Sequence, residues 1–225
     1  MYAFVTGPLA WIAFTIFFVG LIWRGIWYVR GLDWRLDRVS YGQNVGYGIR
    51  GALRSIVRWL IPYGTHSWRF YSGFTALVFI FHIGLLLTPI FLLAHNLLLQ
   101  ERWGVRLPAL PEALADTLTV AMLVAALLIL LRRMALPEVR ILTKLYDIVL
   151  LLIAVTPFLT GFLAYHQVGS YPFWLIAHIV SGEIMLVAIP LTKLSHFLLF
   201  FLSRAQLGMD FGIKRGGMKS QGMPW

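Results

Sequence analysis

Residues 70–99 read FYSGFTALVFIFHIGLLLTPIFLLAHNLLL. Thirty consecutive positions hold no Asp, Glu, Lys or Arg. A bilayer core asks for about 20 apolar residues per helix. The stretch is longer than that, so as a helix it must tilt, kink or project past the hydrocarbon. Pro89 marks the expected kink, because proline removes one helix hydrogen bond and clashes with the preceding turn. Four more apolar runs flank it, and the set lies at 4–23, 70–99, 113–131, 145–165 and 171–202. The fifth is also long, with Pro190 inside it, and the third carries Asp116 in its first turn. The prediction is an all-α integral membrane bundle of five transmembrane helices, forming one domain over residues 1–225.

Composition agrees. The chain of 225 residues is 60% hydrophobic and 12% charged, with a mean hydropathy of +0.79. A soluble domain carries about a quarter charged residues. The first run lacks a basic n-region and a small-residue cleavage site, so it reads as a retained helix and not a signal peptide. Cysteine is absent. That excludes disulfides, thiolate-held iron–sulfur clusters, covalently attached haem c and a cysteine nucleophile.

The net charge of +10 flanks the apolar runs, so it speaks for orientation and not for nucleic acid. Residues 24–69 hold eight arginines, and 132–144 hold Arg132, Arg133, Arg140 and Lys144. The tail 203–225 adds Arg204, Lys214, Arg215 and Lys219, whereas 100–116 offers only Arg102 and Arg106. Assigned alternately, one side receives sixteen basic residues and the other two. The positive-inside rule then puts the N-terminus outside and the C-terminus in the cytoplasm. Within the first basic segment, Ile49, Ala52, Leu53, Ile56, Val57 and Leu60 follow helical spacing. Arg50, Arg54 and Arg58 form a stripe on another face. This predicts an amphipathic helix over 49–61 on the cytoplasmic membrane surface, drawn to anionic lipid headgroups or serving to dock a partner. The glycine-rich end of the tail, FGIKRGGMKSQGMPW (211–225), reads as extended.

Four of the six histidines, His82, His95, His178 and His196, fall inside the two longest runs. His66 and His166 lie outside the spans or at their edges. Ionisable groups at membrane depth are costly and usually functional, and neutral imidazole is a good iron ligand. Eighteen residues separate His178 from His196. On one helix that is five turns, which puts both rings on one face about 27 Å apart. His82 and His95, 13 residues and about 20 Å apart, are the natural opposite ligands. Antiparallel spans would pair His82 with His196 near the cytoplasm and His95 with His178 near the outside, making two haem b sites. Thirteen residues on a straight helix leave His82 and His95 pointing to different sides, which a bend at Pro89 would partly correct. The alternative is that the four rings are polar residues hydrogen-bonded between helices.

The stretches VFIFHIGLLLTPIFLLAH (78–95) and LIAHIVSGEIMLVAIPLTKLSHFLL (175–199) resemble the cytochrome b (gamma) subunit of respiratory nitrate reductase. The resemblance extends over most of the chain, including the basic RRMALPEVR segment (132–140). It implies five spans, an outside N-terminus and two bis-histidine b haems. By it, His82 and His196 ligate the cytoplasm-side haem iron and His178 is one ligand of the outer haem iron. His95 stands beyond the LTP motif, where the family's histidine comes before it. The chain is also similar to cytochrome b subunits of redox complexes in sulfate-reducing bacteria, nearest that of the high-molecular-weight cytochrome c complex. The transmembrane complex and the sulfite-reduction-associated complex are close to it. That likeness implies the bacterial inner (cytoplasmic) membrane, other membrane subunits, a periplasmic multihaem cytochrome c and a cytoplasmic iron–sulfur subunit.

The function expected is an electron conduit, with the cofactor carrying the redox step and the protein setting its ligation. A variant adds menaquinone chemistry beside one haem, for which Glu183, five residues after His178, is the candidate proton acceptor. Lys193 either meets a haem propionate or snorkels to the interface. The rival class is a transporter or scaffold subunit using the histidines as polar glue or a proton path. No inverted repeat is evident to favour a transporter.

Overall fold

The computed structural model describes residues 2–32 and 45–212. The expectations placed on Arg35, Arg38, Lys214, Arg215 and Lys219 lie outside the described residues. Eight principal helices follow in order. They are α1 (Tyr2–Arg30), α2 (Val45–Leu60), α3 (Ser72–Phe91), α4 (Leu93–Trp103), α5 (Glu112–Ala135), α6 (Leu145–Tyr165), α7 (Tyr171–Leu191) and α8 (His196–Gly212). Short helices His66–Phe70 and Pro137–Arg140 lie between them. Five of them, α1, α3, α5, α6 and α7, are long and apolar enough to cross a membrane. Their outward residues are large and apolar, such as Phe18, Ile22, Val124, Leu127 and Leu152. This is a multi-pass membrane protein of the all-α class.

Two long spans end earlier than the sequence suggests. Residues 70–99 do not form one kinked helix. Leu92 takes extended angles (φ −67°, ψ 132°) between α3 and α4. Pro89 already leaves the last turn of α3 one N–H short, and the chain leaves the helix three residues later. Residues 171–202 also divide. Thr192 is extended (φ −125°, ψ −171°), its hydroxyl accepts from the Leu194 N–H, and Lys193–Ser195 make a 3₁₀ turn before α8 begins at His196. Residues 203–212, placed in the tail beyond the last span, continue α8; of the stretch 211–225 read as extended, only Phe211 and Gly212 are described, and both are helical.

The chain forms two compact units, Met1–Leu9 with Tyr71–Met185 and Ala10–Phe70 with Leu186–Trp225. In the first, α3, α5 and α6 enclose a core of Phe81, Met122, Ala125, Ala126, Ala154 and Phe158. Small residues let the backbones approach. A Cβ on Gly84 would lie 2.5 Å from that of Met122. Threonine hydroxyls within the helices donate back one turn, as Thr119 does to Ala115 and Thr156 to Leu152. This satisfies them where lipid cannot. At the end of this unit Asp116 meets His166 Nε2 at 3.0 Å, which accounts for a carboxylate in the first turn of α5.

In the second unit α2 and α8 run against each other backbone to backbone. A Cβ on Gly51 would collide with the Gly208 carbonyl, and one on Gly208 with Gly51, Ala52 and Ser55. The amphipathic helix predicted at 49–61 is thus Val45–Leu60, and its apolar face is divided. Ala52 is buried in the seam with Gly48, while Ile49, Leu53, Val57 and Leu60 remain exposed.

Candidate histidine site in the first unit

Of the four candidate histidines, His82, His95 and His178 belong to the first unit and His196 to the second; only His82 and His178 lie on helices long and apolar enough to cross a membrane. The break at Leu92 swings α4 so that His95 reaches back to the end of α3. Its Nδ1–H donates to the Pro89 carbonyl at 2.8 Å. The returning segment after α4 holds this corner, with Leu110 N–H donating to Phe91 O at 2.8 Å and Asn96 Nδ2 to Pro108 O at 3.2 Å.

His178 comes from α7 and crosses to α6. Its Nδ1–H donates to the Pro157 carbonyl at 2.8 Å. Gly161, one turn on, makes this possible, because a Cβ there would lie 2.8 Å from His178 Nδ1. Beside it Thr160 Oγ1 and Ser181 Oγ are 3.3 Å apart, a second link between the helices.

The two rings then face each other. Their centres are 5.9 Å apart and their planes differ by 11°. A carbonyl can only accept, so each Nδ1 carries a proton, and in a neutral ring Nε2 then keeps its lone pair. Metal-binding histidines are commonly fixed in this way, by the other ring N–H on a backbone carbonyl. Among the described residues no group of three or more His, Asp or Glu gathers to hold a metal ion. Two imidazoles are too few for a tetrahedral cage; they would suit a metal that takes its remaining donors from a bound group such as a macrocycle.

The same unit also holds buried polar atoms without a hydrogen-bond partner among the described residues. Glu183 is 7% exposed, and neither of its carboxyl oxygens has a hydrogen-bond partner among the described residues. Thr88 Oγ1 and Asn96 Oδ1 share that condition.

The other two rings are held locally. His82 donates to Val78 O on its own helix at 2.8 Å and stands edge-on to Phe81. His196 is exposed at the start of α8 and donates to Lys193 O at 3.0 Å. The break at Thr192 corrects the expectation that His178 and His196 share one face of one helix. They lie on different helices, so the five-turn spacing does not apply. Sequence reasoning missed Gly161 and Pro157. The signal was a proline and a glycine four residues apart on a neighbouring span.

A protein of Nitratidesulfovibrio vulgaris (strain Hildenborough) is 54% identical to this chain over 226 residues, covering 100% of both. The chain belongs to that protein's family. The match runs from end to end of both chains. No protein-family model matches the chain, and no solved structure matches it.

Proposed function

We propose that this chain is a di-haem cytochrome b subunit of a membrane redox complex. It carries electrons across the bilayer between a periplasmic cytochrome c or the quinone pool and a cytoplasmic iron–sulfur subunit. The observation that carries the reading is the His95–His178 pair, with parallel rings 5.9 Å apart and both Nδ1 atoms on proline carbonyls. When bound, a b haem supplies reversible one-electron chemistry.

The protein's part is ligation and orientation. His95 and His178 hold the outer haem, and the cytoplasm-side haem is assigned to His82 and His196 by the family resemblance alone. Pro89 and Pro157 fix the tautomer and angle of the first pair. Glu183 is placed to hold a proton in a span that otherwise lacks a carboxylate. The chain has no cysteine, so an iron–sulfur acceptor must come from a partner. The basic segments predict that the N-terminus faces outward and that this partner docks on the cytoplasmic side.

The test is a dithionite-reduced visible spectrum and acid-acetone extraction of the purified protein. Non-covalent haem at about two per chain is expected, since attachment without cysteine is through axial ligands alone. Intact, folded protein with no haem would remove the proposal in favour of a non-redox membrane subunit.

A further inference from the structure

Helix α2 has three faces with different chemistry. The first is the seam of Gly48, Gly51, Ala52 and Ser55, closed against α8. The second is apolar and open: Ile49 is 48% exposed and Leu53 58%. Val57 and Leu60 continue that stripe at helical spacing and are also exposed. The third is Arg50, Arg54 and Arg58, all exposed. No Asp or Glu occurs in the helix. At about 24 Å, its 16 residues are too short to cross a hydrocarbon core of about 30 Å.

The glycine seam therefore fixes the rotation of α2. With that face held by α8, the apolar stripe and the arginine stripe are presented together, about a third of a turn apart. Trp59 reinforces the setting at the far end of the helix. Its ring lies 4.5 Å under the Arg204 guanidinium of α8 and edge-on to Trp68 at 5.7 Å. An aqueous surface would reward the arginines and penalise the stripe beside them. A bilayer interface suits both at once, with acyl chains for one and phosphate for the other. Guanidinium groups bind phosphate oxygens bidentately.

We infer that α2 is a fixed binding surface for anionic phospholipid. Ile49, Leu53, Val57 and Leu60 enter the acyl region, and Arg50, Arg54 and Arg58 bind headgroup phosphates. This surface does not depend on the haem reading. Its strength falls with salt, because the arginine stripe lies at the wet edge of the bilayer. Each arginine near an anionic surface is worth roughly a five-fold preference, and three together on the order of 100-fold.

Two measurements on the full-length protein test it. In mixed micelles, phosphatidylglycerol should raise the unfolding temperature of the wild type above the level reached with phosphatidylcholine. In the R50Q/R54Q/R58Q variant the concentration of phosphatidylglycerol needed should rise on the order of 100-fold, with the phosphatidylcholine level unchanged. An equal response of variant and wild type, or no response in either, overturns the inference. The natural absence of cysteine allows spin labels at Leu53→Cys and Arg54→Cys in anionic nanodiscs. Oxygen should reach the label at 53 and a water-soluble nickel chelate the label at 54. A label at 53 that reports water, or one that is shielded only when a protein partner is added, overturns the inference in favour of a protein-docking face.

Discussion

Two breaks in apolar helices, one in each unit, can be set side by side. At Leu92 the chain parts after Pro89, and the proline carbonyl accepts from His95. At Thr192 it parts after Pro190, and that carbonyl accepts from Arg24 Nε at 2.8 Å. Each break leaves a carbonyl in apolar surroundings that needs a donor. In the first unit the donor is an imidazole, and the bond turns that ring toward His178 from another helix. In the second the donor is a guanidinium from α1, and the nearby His196 bonds instead within its own turn. The same kind of break thus has different consequences according to the group that caps it. The second break serves to turn α8 onto α2.

The largest expected effect breaks the first site outright. His178→Ala should lower extractable haem from about two per chain to about one, and His95→Ala should remove the same spectral component. His196→Ala should remove the other. Two haems retained in His178→Ala protein would dissolve the contrast between the units. A subtler variant, Gly161→Ala, pushes a methyl group toward the His178 ring without deleting a ligand. Disturbing the support of a metal-binding histidine costs roughly 10- to 100-fold in affinity. Haem titration of the extracted protein should show that loss for one component only.

The glycine seam and the Pro190 cap of the second unit should respond in stability and leave the outer-haem component of the spectrum unchanged. Gly51→Ala places a Cβ against the Gly208 carbonyl. Overpacking of this kind costs about 1–3 kcal/mol, read as a lower unfolding temperature in detergent with the outer-haem spectrum unchanged. Arg24→Leu removes the cap on Pro190. A hydrogen bond from a charged group to a half-buried carbonyl is worth about 1.5 kcal/mol or somewhat more, and the same assay should register it. The smallest effect belongs to Asp116→Asn. Its pair with His166 is more than a third exposed on both sides, so the change should stay within about 1 kcal/mol.

The five spans were legible because lipid imposes a pattern that composition alone reveals. The fourth, 145–165, agrees with α6 at both ends. Pro89 signalled a disturbance, but its form depended on contacts from residues 104–111, which return to bond Phe91 and Asn96. Such long-range closure leaves no periodic trace. The pairing of His95 with His178 was anticipated from depth, and the rotation problem at His95 vanished once the helix was seen to break. The seam between α2 and α8 escaped notice because helical spacing was judged by hydrophobicity. Gly208 and Gly212, four apart and facing Gly51, were readable by size instead.

The bond from His178 to Pro157 also sets an order of events in biogenesis. A freely rotating ligand surrenders rotamer freedom when its prosthetic group arrives, at a cost of about 1 kcal/mol. Here the ring is already held by one carbonyl and its counterpart by another. That entropy is lost when the helices assemble, before any capture. On the di-haem reading proposed above, a newly inserted chain would finish this part of its bundle first and take up haem afterwards.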